Sequence, residues 1–522
     1  MPPGPPVTAW SWLAGAAPLM VLLTALLKLK WKAPRAGGVA WAVALALGWA
    51  VYRAPAGMLA VGSAKGLSLT LFVVLIIWAS VLLYNLVEKS GAMEVIAGGA
   101  SRLVRDELLL FIFLAWCLSA LVQGVAGFGV PVAIVAPLMV AVGFSPLQSV
   151  VATLVGHAWS ISFGSMGASY YTLQLVTRMP GQVIGLWMGI MLALPTVLSG
   201  VAVAHIYDGW KAVRRALPWV LTAGPVMAVV MTLAPVAGAP QLATILAALA
   251  GSMVLSLWSR YMAAGQPAAG RRGCGQLGWA FFPYLLLIVL TLASQLGPVK
   301  ALVGHVKFGL NYPAAVTGLG YQVPAERAYA AIGLFSHPAP LILLSTAAAF
   351  ALYLRLGHSS WTTLTKAWAI TQEQCTSTTV SIATMVMMAL VMNDSGMTST
   401  LARGVAAATG RLFPLFSPAV GVLGCFMTGS NTNSNVLFGA FQMETAAALG
   451  VSTRILAAAQ SAGGSLGSAI APAKVLIGTA TTGLTGQESL VMKRAIPYSL
   501  AIVGSLGALT WVLVYLVFTS LP

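Results

Sequence analysis

Charge is what this sequence has least of. Only 7% of its 522 residues are Asp, Glu, Lys or Arg, and just 10 of them are acidic. A soluble domain carries about a quarter charged residues, so a water-solvated globular chain does not fit. With 59% hydrophobic residues and a mean hydropathy of +0.91, most of the chain has lipid as its solvent. Cysteine is also scarce. Cys117, Cys274, Cys375 and Cys425 lie far apart with no CxxC spacing, which argues against a disulfide framework or a cysteine metal site. There is no HExxH, no phosphate loop and no nucleotide fingerprint. A zinc protease and an ATP-driven pump therefore have no footing, and neither metal nor cofactor is expected. The opening "MPPGPPVTAWSW" has no basic stretch ahead of its apolar run, so no cleavable signal peptide is expected.

Long apolar runs are what the sequence has in abundance. Segments long enough to cross a bilayer fall at about 8–27, 37–62, 67–87, 147–176, 181–206, 216–236, 239–260, 277–297, 328–354, 361–392, 454–476 and 495–519. Two others, 108–143 and 414–450, each hold two short apolar runs around a glycine-rich or polar break. The net charge of +17 does not point to nucleic acid, because the basic residues are scattered over short loops. With the N-terminus outside, 18 of the 27 basic residues face the cytoplasm. Arg53, Lys65, Arg178, Lys300, Lys307, Arg327, Arg403, Arg411 and Arg454 face outward. That asymmetry follows the positive-inside rule. The expected fold is an all-α polytopic membrane protein with about twelve transmembrane helices and two re-entrant hairpins.

The chain also repeats itself. "GFSPLQSVVATLVGHAWSISFGS" from Gly143 aligns with "GVSTRILAAAQSAGGSLGSAIAP" from Gly450, pairing Gly143 with Gly450, Ser145 with Ser452 and Gly156 with Gly463. Each copy follows one broken hairpin, and the two hairpins enter from opposite sides, so the halves form an inverted repeat, as in many secondary transporters. The expected division is 1–106 N-terminal scaffold, 107–206 first hairpin and broken helix, 207–392 central scaffold, 393–494 second hairpin and broken helix, and 495–522 C-terminal helix.

Between its apolar flanks, "TGSNTNSN" places Ser430, Asn431, Thr432, Asn433, Ser434 and Asn435 where lipid satisfies none of them. Irregular polar backbone at membrane depth is tolerated only when buried in protein or lining a wet cavity. Small-residue helix packing does not call for six consecutive hydrogen-bonding side chains. The reading is a site for a small polar solute, with a helix N-terminus suited to a carboxylate. The first hairpin's "QGVAGFGVP" offers Gln123, Gly127, Phe128 and Gly129, where glycine lets a ligand approach the backbone. After each hairpin a helix is interrupted again, in "SISFGSMGAS" (Ser162, Gly164, Ser165) and "SAGGSLGSAIAPAK" (Gly463, Gly464, Ser465). Charges within spans are few. His157, Asp394, Glu373 and Lys474 are the candidates for proton or ion coupling. For each of them a packing, capping or snorkelling role stands beside the functional one.

At these residues the chain resembles the lactate permease family of bacterial secondary carriers. The motifs are "GVAGFGVPVAIVAPLMVAVGF" (124–144), "SFGSMG" (162–167), "SGMTSTLA" (395–402), "FSPAVGVLGCFMTGSNTNSNVLF" (416–438) and "SAGGSLGSAIAP" (461–472). The resemblance implies a multi-pass inner-membrane carrier of lactate, glycolate and related 2-hydroxy-monocarboxylates, coupled to protons. It also implies kinship with anion carriers that have paired hairpins and elevator motion, and by analogy a homodimer. Three departures stand out. Gln123 replaces the family's usual Glu, Asn431 replaces the Asp of "GSDT", and "HAW" at 157–159 replaces a polar-proline pattern. The first two remove a carboxylate from the expected site, which leaves His157 and Asp394 as replacement proton carriers.

Two other readings compete. A Na⁺-coupled carrier of another small organic anion would hold the ion on Asn and Ser oxygens and unwound carbonyls. An intramembrane serine hydrolase is raised by "GGSLG" around Ser465, but that motif needs a strand–turn–helix elbow and a positioned base.

Overall fold

The computed structural model describes residues 5–102, 104–127, 129–262, 274–299, 306–333 and 337–519. Helix dominates these residues, and ten helices among them are long and apolar enough to cross a membrane. Two 34-residue helices, Ala56–Lys89 and Trp361–Asp394, pack along each other as the spine of one part of the molecule. Small residues allow the approach. Gly62 lies against Val391 and Gly66 against Met387, and a Cβ on Gly66 would overlap the Met387 backbone. Helix Ala33–Ala50 packs on Trp361–Asp394 and also contacts Ala9–Leu27.

The other part is built from two helical hairpins and two broken helices. The first hairpin runs from Glu107 to Val125 and, after Gly129, returns as Val130–Val142. Gly129, at φ +89°, makes the reversal, and Pro131 starts the return helix where its missing N–H costs nothing. Phe111, near the start, and Phe144, just past the end, have ring centroids 5.0 Å apart, so the chain comes back to where it left. The second hairpin pairs Phe413–Thr428 with Asn431–Leu449. Ser434 Oγ donates to the Gly421 carbonyl and Gln442 Nε2 to the Ser417 carbonyl, so the two arms run antiparallel.

Each hairpin leads into a helix that breaks. Pro146–Gly156 gives way to a single 3₁₀ turn and then Gly164–Thr177. Thr453–Gly467 gives way to a 3₁₀ turn and then Pro472–Thr481. The return arm of the first hairpin packs on Pro472–Thr481, and the return arm of the second packs on Gly164–Thr177. Each repeat thus covers the broken helix of the other. The matched glycines make equivalent contacts. A Cβ on Gly156 would overlap the Ala115 carbonyl, and one on Gly463 would overlap the Pro418 carbonyl. In both repeats glycine lets the broken helix press against the hairpin's first arm.

Several sequence-based boundaries change. The expected spans at 37–62 and 67–87 are Ala33–Ala50 and Ala56–Lys89. The break falls at 51–55, where Arg53 has φ +52° and Pro55 caps the next helix. Lys65 signals a loop in the sequence but stays mid-helix because carboxylates neutralise it. The span expected from 328 begins instead at Pro338. Residues Glu326–Gly333 form a strand antiparallel to Lys307–Tyr312, and Ala315–Val316 pairs with Gln322–Val323, so the all-α expectation gains a small β element. The alanine-rich "AYAA" reads as helix, but the pairing, backed by the Tyr312–Tyr329 ring contact, outweighs that local preference. Segments 147–176 and 454–476 are each two short helices about a break, as their interrupted stretches lead one to expect. Residues 181–236 form one helical segment whose turn lies at Asp208–Gly209.

Candidate functional site

Both hairpin turns and the first helix break meet the first turn after the second break at one small cavity of about 30 Å³. Gln123 comes from the end of the first hairpin's first arm and Gly127 from just beyond it, and Gly429, Ser430, Asn431 and Thr432 come from the second turn and the start of its return arm. Ile161, Ser165, Ala168 and Ser169 come from the first broken helix, Lys474 from the first turn of Pro472–Thr481, and Ile77 from the long scaffold helix. The second turn owes its shape to three residues. Gly429 at φ +71° ends the first arm, Ser430 adopts extended backbone, and its hydroxyl accepts from the Asn433 N–H as an N-cap. The next helix therefore starts at Asn431, and its first-turn N–H groups and positive dipole end lie at the cavity. In the first broken helix Ser165, Met166 and Gly167 all have positive φ, so the chain is unwound where it lines the site.

A hydrogen-bond lattice ties the two repeats together behind the cavity. Asn431 Nδ2 donates to Ser162 Oγ and to the Ser461 carbonyl, each at 3.2 Å. Ser461 Oγ donates to Ser162 Oγ at 3.0 Å, and Asn435 Nδ2 donates to Ser461 Oγ and to the Ser169 carbonyl, also at 3.0 Å. The Ser162 N–H donates to Ser465 Oγ, and Ser169 shares a hydrogen bond with Thr432. Four buried side-chain oxygens in this region have no partner: Gln123 Oε1 and the Oδ1 atoms of Asn431, Asn433 and Asn435. Buried acceptors are normally satisfied, so these are open positions for a donor.

Lys474 is the one charged side chain lining the cavity. It is 4% exposed, and among the described residues its ammonium forms no hydrogen bond or ion pair. A buried cation without a counter-charge is costly. No carboxylate lines the site.

The candidates from sequence divide into groups. Gln123, Gly127, Ser165, Ser430, Asn431, Thr432 and Lys474 line the cavity. Ser162, Asn435 and Ser465 belong to the lattice behind it, and Gly164 packs on Gln123. Gly464 packs on Asn431, Gly129 on Ile477 and Gly463 on Pro418, while Ser434 bonds Gly421 and Gln460. Asn433 is buried with its oxygen unpaired. Phe128 lies outside the described residues. His157 is fully buried at the end of Pro146–Gly156. Its Nδ1 contacts the Thr153 carbonyl and its Nε2 has no partner, but it is not a lining residue.

Two acidic candidates lie elsewhere. Glu373 is exposed on helix Trp361–Asp394. Asp394 is buried in an ion pair with Lys65 at 3.1 Å. Lys65 also pairs with Glu326 at 2.9 Å, and Glu326 pairs with Arg178. On the same helix Lys65 precedes the lining residue Ile77 by twelve positions, about 18 Å at helical rise. Ser465 sits inside a helix with its hydroxyl donated to the Ala158 carbonyl, which is not the elbow a serine nucleophile requires. Sequence reasoning passed over Ser169 and Ser461, the end residues of the two interrupted stretches. It also missed Ile77, whose apolar surroundings carry no signal at all.

Two interlocked repeats enclosing a buried cationic cavity, within a multi-pass helical fold, define a membrane transport architecture. The chain belongs to the L-lactate permease family, whose model matches residues 11–517. It is 30% identical to the L-lactate permease of Escherichia coli (strain K12), covering 98% of this chain and 97% of that protein. It is 28% identical to Glycolate permease GlcA of the same strain over the same shares, and 29% identical to the L-lactate permease of Bacillus subtilis (strain 168), covering 94% and 93%. It is accordingly a multi-pass protein of the bacterial inner membrane.

Proposed function

We propose that this protein is a secondary active carrier of small 2-hydroxy-monocarboxylates, lactate and glycolate among them, coupled to protons. The observation that carries this reading is the unpaired, buried Lys474 facing the turn at Ser430–Asn431. A monocarboxylate supplies the missing negative charge and accepts from the N–H groups at the start of the second return arm. Its 2-hydroxyl is the donor that the unpaired Gln123 Oε1 needs. The family relatives named as lactate and glycolate permeases fit the same chemistry.

The hairpins are re-entrant, and with the broken helices they move as a unit past the scaffold pair Ala56–Lys89 and Trp361–Asp394. The exchange of contacts between repeats supports this inverted, elevator-type arrangement, and a homodimer is the expected assembly. With no carboxylate in the cavity, proton carriage falls to a group behind it. The open Nε2 of His157 makes that side chain the first candidate and the Lys65–Asp394 pair the second. The unpaired Asn oxygens also suit a cation, which keeps Na⁺ coupling as the reading to test against. Uptake of labelled lactate into proteoliposomes decides between them. An inward proton gradient should drive accumulation with Na⁺ absent. Accumulation that follows a Na⁺ gradient at equal pH on both sides would overturn proton coupling. A failure of lactate and glycolate to compete with each other would overturn the substrate class.

A further inference from the structure

A second cavity, apart from the one between the repeats, lies between helices Gly181–Val236 and Glu488–Val512 and holds about 740 Å³. Its two walls are helical faces. Leu198, Val201 and His205 lie on one, and Arg494, Tyr498 and Ala501 on the other. His205 Nδ1 meets the Tyr498 hydroxyl at 2.8 Å, which fixes one end, where Trp210 and Lys493 also sit. From His205 back to Leu198 the groove runs about 10 Å at helical rise along apolar side chains. It is therefore cationic and aromatic at one end and oily along its length. No acidic residue lines it, and neither Lys493 nor Arg494 forms an ion pair among the described residues. Trp210, stacked edge-on to His205 and 68% exposed, is the type of residue that marks the membrane interface.

We propose that this groove binds an anionic phospholipid. The headgroup phosphate sits between Lys493 and Arg494, and an acyl chain lies along Leu198, Val201 and Ala501. The charge complementarity and the polarity gradient both match such an amphiphile. A neutral lipid would leave two cations unanswered, and a purely apolar partner helix would bury them. Arg494 and Tyr498 also line an adjoining cavity with Ser145 and Gln148. The residues that hold the headgroup therefore border the start of the first broken helix.

Native mass spectrometry of the purified full-length protein, offered equal phosphatidylglycerol and phosphatidylcholine with matched acyl chains, tests the proposal. The wild-type protein should retain phosphatidylglycerol preferentially. K493Q/R494Q should lower that retention by roughly tenfold or more, from about 1 kcal/mol per basic residue. K28Q/K30Q, which removes two cations elsewhere, should keep the preference. If K493Q/R494Q does not fold, A501W carries the test, because it fills the groove while leaving both charges and should also expel the lipid. Equal retention of the two lipids, or a preference that survives both variants, overturns the proposal. So does a dimer that forms without bound lipid and is lost in A501W, which would assign the groove to a second copy.

Discussion

Lys474 is the residue on which the site turns. An unpaired buried ammonium destabilises the resting protein, and on the proposed reading the substrate anion supplies its counter-charge. Lys474→Gln should therefore raise the KM for lactate by roughly tenfold to a hundredfold, the scale of a lost charge-assisted hydrogen bond of about 1.5–3 kcal/mol. Thermal stability in detergent should hold or rise, because the uncompensated charge is gone. A fall in stability with unchanged KM would make Lys474 a structural residue. Asn431 offers a second test. If the substrate binds as proposed, Asn431→Asp puts a carboxylate beside the substrate's own, with a repulsion of roughly 4 kcal/mol for two such charges 4 Å apart at an effective dielectric near 20. Uptake should be weak at high pH and recover as pH falls, because protonation of the new carboxyl removes the repulsion. Asn431→Ala should lose affinity at every pH, since Ser162 Oγ and the Ser461 carbonyl then lose the amide that anchors the second turn to them. Uptake indifferent to both changes would remove this turn from the site.

Among the elements, the informative contacts are the matched glycines and the Lys65 network. Gly156→Ala and Gly463→Ala each push a Cβ into a backbone carbonyl that cannot step aside. Each should cost about 1–3 kcal/mol, read as a lower melting temperature. Gly504→Ala, where nothing lies within 4 Å, should be neutral or slightly stabilising. Equal behaviour of all three would deny the repeat its packing role. The Asp394–Lys65–Glu326–Arg178 chain joins both long scaffold helices to the β segment and to the end of the first broken helix. Lys65→Ala leaves buried Asp394 without its cation and should destabilise by about 3–5 kcal/mol, whereas a paired Lys65→Met/Asp394→Leu change should recover most of that loss. A double variant no more stable than the single would mean that Lys65 contributes more than the neutralisation of Asp394. Of these features the glycine repeat was legible in sequence, because a repeat records a contact made twice. The ion-pair network was not. Lys65 and Asp394 are 329 positions apart, and in a linear reading one marks a loop and the other a helix end.

Across the whole molecule, the arrangement predicts sidedness. Single cysteines introduced near 140 and near 450 should react with an impermeant thiol reagent from opposite sides of the membrane, and Lys28–Arg35 should lie on the side opposite Arg411. Labelling of 140 and 450 from the same side would end the inverted-repeat reading. Lys65 and Arg178 meet at Glu326, while Arg215 pairs with Asp106 and Arg494 lies beside His205 and Tyr498. Sequence by itself determined that this chain lives in lipid, that it carries two hairpins and two broken helices, and where their turns fall. Those properties follow from solvent chemistry and local backbone preference, which are written in neighbouring residues. Only the tertiary structure decided which polar residues face the cavity, that Lys474 stands there without a counter-charge, and that Asp394 is engaged elsewhere. It also decided that "AYAA" becomes a strand. Each of these depends on a partner far away in the chain, and burial and pairing energies between distant residues leave no periodic trace in the sequence that makes them.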